Sequence, residues 1–273
     1  MLLWYSAARL PDTRHARSPR VLYRQQSSGA LVEGYSFSLE KQRSDNAYAV
    51  LKAGPYASAE RGSRTSGGVL KSPEQMLVLF AKMDGPGRKV REALSILDLD
   101  CVVYPSTRSW PGLGYNRQHA VLLRDPNAGG KELVDADDIV EYLFETYGSG
   151  VEAMPWVMKR GNGVGRVLMA LAIWLRGGRG CAATSSGAED QDPLTVEFWA
   201  YEASPFCGVA AEAIYAAGLP HVLRTVARGS SKRDALFEAE GHFQAPYFVD
   251  GSVGMFESAA IIEYVESLRD STQ

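Results

Sequence analysis

The chain carries one pattern twice. KVREALSILDLDCVVY, starting at Lys89, lines up with VAAEAIYAAGLPHVLR, starting at Val209. Glu92, Ala93, Leu94 and Leu99 correspond to Glu212, Ala213, Ile214 and Leu219, 120 residues further on. Downstream, DADDIVEYLFETY from Asp135 corresponds to ESAAIIEYVESLR from Glu257. There Ile139, Glu141 and Tyr142 match Ile261, Glu263 and Tyr264 at an offset of 122. Similar segments in the same order and at nearly the same separation signal a duplicated supersecondary unit, and the drift in offset is a difference in loop length. Any architecture assigned to one copy must therefore serve the other.

The second copy reads more clearly. LTVEFWAY (194–201), rich in β-branched and aromatic residues, predicts a buried strand. Phe206, Val209, Ala210, Ala213, Ile214 and Ala217 follow with the spacing of a helix that buries one face, and Gly218 is a stop signal. HVLRTV (221–226), APYFVD (245–250) and VGMF (253–256) predict three more strands, the last two joined by the Asp250-Gly251 turn. Ser258, Ile261, Ile262, Val265 and Leu268 predict a closing helix. The first copy repeats this order with strands at 76–82, 101–104, 120–123 and 132–134. Its helices bury Val90, Ala93, Leu94 and Leu97, then Ile139, Val140, Leu143, Phe144 and Tyr147.

The rest of the 273 residues bounds the function. A formal net charge of −3 gives no reason to expect nucleic acid as the main partner. Three cysteines, Cys101, Cys181 and Cys207, have neither disulfide-scaffold nor zinc spacing. Residues 1–30 hold five arginines against one acid, Asp12, and read as an organelle transit segment or a basic tail. Residues 31–73 are polar, Gly/Ser-rich and unassigned. A Gly-rich joint, 149–193, separates the copies at 74–148 and 194–273. Its apolar run 164–175 contains Arg166 and, at twelve residues, is shorter than the roughly 20 needed to cross a bilayer, so no transmembrane segment is expected.

The β-α-β-β-β-α order resembles a thioredoxin fold, and more narrowly the glutathione S-transferase N-terminal domain and glutaredoxin. Three pieces of the second copy carry the likeness. Ser204-Pro205-Phe206-Cys207 stands at the family's active-site turn, Gln244-Ala245-Pro246-Tyr247 at its cis-proline, and Glu257-Ser258 at the acid-serine pair opening the last helix. The whole is similar to a plant and algal plastid family with two such domains. The resemblance implies an α/β chain of two thioredoxin-like domains in tandem, without a C-terminal all-helical transferase domain, in a chloroplast or, failing that, a mitochondrion or the cytoplasm.

A helix N-terminus favours a thiolate, because its unpaired N–H groups carry partial positive charge. Here Ser204 holds the first position of the turn. It is either a plain N-cap or, as the resemblance implies, the donor to the sulfur of bound glutathione. Cys207 is either a packed core thiol or a redox-responsive one. Lacking a cysteine at 204, the turn cannot perform dithiol exchange. Pro246 is either trans at an edge strand or cis, leaving Ala245 to pair with a bound peptide. Glu257 and Ser258 either cap the helix or hold the γ-glutamyl end of glutathione. Lys232, Arg233 and His242 read as a solvated loop or as partners of the glycyl carboxylate.

The first copy departs at all three places, with Asp84-Gly85-Pro86-Gly87, Val121 and Asp135-Ala136. It is expected to be structural, a partner surface for the second. The expected function is glutathione binding with thiol chemistry, as a glutathione transferase or a glutaredoxin-like unit that also meets another protein or thiol substrate. The alternative is a non-catalytic scaffold or redox-sensing adaptor.

Overall fold

The computed structural model describes residues 21–22, 71–115, 119–162, 171, 174, 177–182 and 195–270. Most of the expected transit segment, most of 31–73 and most of the apolar run 164–175 lie outside the described residues.

The first half supplies β2 (Leu77–Ala81), α1 (Gly85–Leu97), β3 (Cys101–Pro105), β4 (Leu122–Asp125), β5 (Lys131–Leu133) and α2 (Ala136–Thr146). The second supplies β6 (Val196–Ala200), α3 (Pro205–Ala216), β7 (His221–Thr225), α4 (Lys232–Glu240), β8 (Tyr247–Asp250), β9 (Val253–Phe256) and α5 (Ser258–Asp270). A two-residue strand, β1 (Val21–Leu22), pairs parallel with β9.

The nine strands among the described residues form one mixed sheet, in the order β1-β9-β8-β6-β7-β3-β2-β4-β5. Within each half a parallel pair (β2–β3, β6–β7) and antiparallel neighbours (β4–β5, β8–β9) recur in the same arrangement. The halves meet where β3 pairs antiparallel with β7, joining Cys101 to Leu223, Val102 to Val222 and Val103 to His221. Neither strand is therefore left as an open edge. One apolar cluster runs through both halves, including Leu79, Leu94 and Phe144 from the first and Phe198, Ile214 and Phe248 from the second.

Both first helices begin alike. Asp84 caps α1 by accepting from the Gly87 N–H, and Ser204 caps α3 by accepting from the Cys207 N–H. A matching polar contact closes each half. The Tyr142 hydroxyl donates to Asp125, and the Tyr264 hydroxyl donates to Asp250.

The structure differs from the sequence reading at three elements, one of them β8, which begins at Tyr247 rather than 245 because the cis Ala245–Pro246 peptide lies before the ladder. The third strand of the first half spans 122–125 rather than 120–123, because the apolar run AVLL continues into the paired residues Arg124 and Asp125. Residues 232–240, read as loop, form α4. Its apolar content is low, and only Leu236 is buried, against Trp199, Val226, Tyr247 and Val249 on the sheet. A single buried position leaves almost no periodic signal.

Candidate functional site

Strand register gathers the three motifs of the second half. Trp199 pairs with Tyr247, and Tyr247 pairs with Phe256, so these residues lie side by side in one row across the sheet. From that row the chain leaves β6 towards Ser204, enters β8 from Pro246 and leaves β9 into Glu257. Segments more than forty residues apart in sequence thus meet at one end of the sheet.

Ser204 retains 4% of its surface. Its Oγ accepts from the Cys207 N–H at 3.3 Å, so the capping role is realised. A hydroxyl has one donor proton besides two lone pairs, and capping leaves that proton available. Phe206, two residues on, is 64% exposed and faces solvent beside the turn. Cys207 is buried, with its peptide in the first turn of α3.

The Ala245–Pro246 peptide bond is cis. Ala245 is half-buried, outside β8, and its backbone makes no hydrogen bond to another described residue. Glu257 has φ +71°, in the left-handed region that non-glycine residues rarely adopt. This conformation turns the chain sharply from β9 into α5, whose first residue is the half-buried Ser258. Gln244 Nε2 donates to Glu257 Oε1 at 2.6 Å and ties the proline loop to the helix start.

The three basic residues near this end divide by partner. Lys232 reaches away from the site to the first half. Its Nζ lies 2.9 Å from Asp98 Oδ1 and 2.6 Å from Asp100 Oδ1, and also donates to the Thr225 hydroxyl. Arg224 meets Asp100 as well, at 3.1 Å. Arg233 Nε donates to the Val226 carbonyl, and its guanidinium lies 4.6 Å from the Phe243 ring centre and 5.4 Å from that of Tyr201. Burial draws its pKa below the ordinary arginine value. His242 packs against Phe256 with the rings tilted by 43° and is exposed. Arg233 is thus the half-buried cation placed beside the turn that precedes Ser204.

The first half reaches the same turn from behind. Arg91 of α1, 3% exposed, donates through Nε to Glu202 Oε2 at 3.0 Å and through Nη1 to the Lys82 carbonyl at 2.7 Å. Arg88 Nε stands 4.0 Å from the same carboxylate. Glu202 N–H in turn donates to Ser95 Oγ. The loop 201–204 is therefore held by residues more than a hundred positions upstream. Nothing in the local sequence marks Arg91 as part of this arrangement, since an arginine on a helix is usually solvated.

Where the first half has its own cap turn, the joint covers it. The Met83 N–H donates to the Gly180 carbonyl, and a Cβ at Gly180 would meet Met83 Cγ at 2.6 Å. At the position of Pro246 stands Val121, and Asp135 caps α2 without a following serine.

Among the described residues no cluster of His, Cys, Asp and Glu has the arrangement of a metal site, and no helix is long and apolar enough to cross a membrane. The family model of the glutathione S-transferase N-terminal domain matches residues 198–273. No curated protein and no solved structure gives a significant match to the chain.

Proposed function

We propose that the second half binds glutathione and carries thiol chemistry on it, as a transferase or a glutaredoxin-like unit, on a chain built as two thioredoxin-like domains in tandem. The observation that carries this reading is the convergence of Ser204, Ala245–Pro246 and Glu257–Ser258 beside the Trp199–Tyr247–Phe256 row. The family match over residues 198–273 supports it.

In this reading each part of the tripeptide meets a group suited to it. The cysteinyl backbone pairs with Ala245 as a short added strand. The γ-glutamyl carboxylate takes the free N–H groups at the start of α5, near Ser258. Arg233 receives the glycyl carboxylate. The glutathione sulfur faces Ser204, whose oxygen keeps the Cys207 N–H while its proton goes to the sulfur anion. That hydrogen bond, with the N-terminal end of α3, holds the thiol in its nucleophilic ionised form. Serine cannot itself form a mixed disulfide, so any transfer occurs on the sulfur of glutathione. The first half serves as a structural partner. A plastid address for residues 1–30 belongs to the same proposal, tested by import of a fluorescent fusion of those residues.

Titration calorimetry with reduced glutathione on wild type, Ser204→Ala and Arg233→Met tests the reading. Millimolar or tighter binding, weakened in Arg233→Met, together with thiolate absorbance lost in Ser204→Ala, is the expected outcome. No heat at millimolar ligand removes it. The burial of Ser204 favours a second reading, a glutathione-binding module without turnover, for which binding without thiolate absorbance is the signature.

A further inference from the structure

The route from strand to helix cap differs between the halves. β2 ends at Ala81 and Asp84 caps α1, with Lys82 and Met83 between them. β6 ends at Ala200 and Ser204 caps α3, with Tyr201, Glu202 and Ala203 between them. The second turn is thus one residue longer. Extra length adds conformations to a turn, and these must be suppressed if the cap hydroxyl is to keep one position.

The middle residue of the longer turn is the one the first half holds. Glu202, 8% exposed, accepts from Arg91 Nε on its carboxylate and donates its own N–H to Ser95 Oγ at 3.2 Å. Its side chain and its backbone are therefore both fixed from α1. Arg91 also donates to the Lys82 carbonyl, so one guanidinium ties the turns of the two halves together. Behind the turn, Arg91, Ser95, Glu202 and Cys207 line a crevice of about 20 Å3, room for about one water molecule. Packing this close leaves the turn little slack towards α1.

We propose that Glu202 is a positioning residue for the glutathione site, and that the first half sets that site through Arg91 and Ser95. This rests on the reading in which Ser204 faces the ligand sulfur. A hydrogen bond to an anion depends steeply on where its donor stands. Releasing Glu202 lets the turn, and the Ser204 proton with it, leave the position that meets the sulfur. The first half, which departs from all three site motifs, thereby governs the thiol chemistry of the second. Coupling of this kind is reciprocal, so a ligand bound at Ser204 steadies α1 in turn.

The test follows the thiolate absorbance of bound reduced glutathione across pH, in the full chain. Glu202→Gln keeps the size of the side chain and removes its charge. Arg91→Met combined with Glu202→Leu removes both ions, so that neither is stranded as an unpaired buried charge. In each variant the pH midpoint of the bound thiol is expected to rise by about one unit, the tenfold worth of one hydrogen bond to a charged group. Affinity for S-methylglutathione, which presents no sulfur anion, should change much less. A purely structural pair would lower the melting temperature and leave the midpoint at its wild-type value. Glutathione should also slow amide hydrogen exchange in α1 of the wild-type chain, although α1 touches no ligand in this reading. A wild-type midpoint in a folded variant overturns the inference and leaves the glutathione reading standing. So does exchange in wild-type α1 that glutathione leaves unchanged, whatever the stability of the variants. Wild type without thiolate absorbance removes the sulfur contact itself, and the inference with it.

Discussion

Val102 stands directly opposite Val222, its own counterpart in the other half. The flanking pairs, Cys101 with Leu223 and Val103 with His221, are exchanged by the same approximate two-fold relation, because Cys101 corresponds to His221 and Val103 to Leu223. An interface that pairs one surface with itself is the geometry of a symmetric dimer, here realised within one chain.

Both valines are buried, so truncating either one weakens the junction. Val102→Ala and Val222→Ala should each cost about 1–3 kcal/mol. Because one apolar cluster runs through both halves, the wild-type chain is expected to unfold in a single transition. Val222→Pro, which cannot join a ladder, should split that transition into two. Urea denaturation followed by tryptophan fluorescence and circular dichroism checks this; coincident transitions in the proline variant would show that the ladder is not what couples the halves.

Lys232 is a clamp rather than a ligand group. It closes on Asp98, Asp100 and Thr225, with 22% of its side chain exposed. Lys232→Met should cost about 1–3 kcal/mol, since it leaves the two carboxylates short of a cation, and should leave glutathione affinity unchanged. A calorimetric titration of this variant beside Arg233→Met separates the two basic residues. Loss of binding in Lys232→Met would reassign the carboxylate contact.

The observed cap at Ser204 is separable from the sulfur contact proposed for it. Ser204→Ala should lose about 1 kcal/mol of stability through the missing cap. Ser204→Asp follows the pattern of Asp84, which caps α1 in the first half. It should recover part of that stability but bind glutathione more weakly than Ser204→Ala, because a carboxylate repels the sulfur anion. Thermal melts with parallel titrations give both numbers, and equal affinities in the two variants would argue that the sulfur does not sit against residue 204.

His221 sets a pH dependence. It is 1% exposed, its Nδ1 lies 2.9 Å from the Leu219 carbonyl, and burial lowers its pKa to about 4. The unfolded chain binds this proton near pH 6.5 and the folded chain only near 4, so the unfolded state holds more protons between these values. Stability is therefore complete above pH 6.5 and is lost as the pH falls towards 4, by roughly 2–3 kcal/mol on the basis of 1.36 kcal/mol per unit. His221→Gln should flatten the difference between stability at pH 7 and pH 5. An unchanged difference would assign the acid sensitivity to other groups.

Much of this was legible in the residues. The strand VGMF, the helix face from Phe206 and the capping option at Ser204 follow from short-range signals: alternation, the 3.6-residue period and the preference for an oxygen at a helix start. The duplicated pattern predicted matched elements in both halves. Helix α4 was not legible, since its core contact is one leucine. Arg91 was not legible either, since its partner Glu202 lies 111 residues away.

What the sequence by itself determined is the local order of elements and the chemistry available at each motif, because these depend on neighbours within a few residues. Only the tertiary structure decided that β3 and β7 pair, that Lys232 and Arg91 serve the junction while Arg233 packs against Tyr201 and Phe243, and that Cys207 borders a crevice of water size. Those outcomes depend on which buried donors and strand edges meet after the chain closes, and burial makes leaving them unpaired costly wherever in the sequence their partners lie.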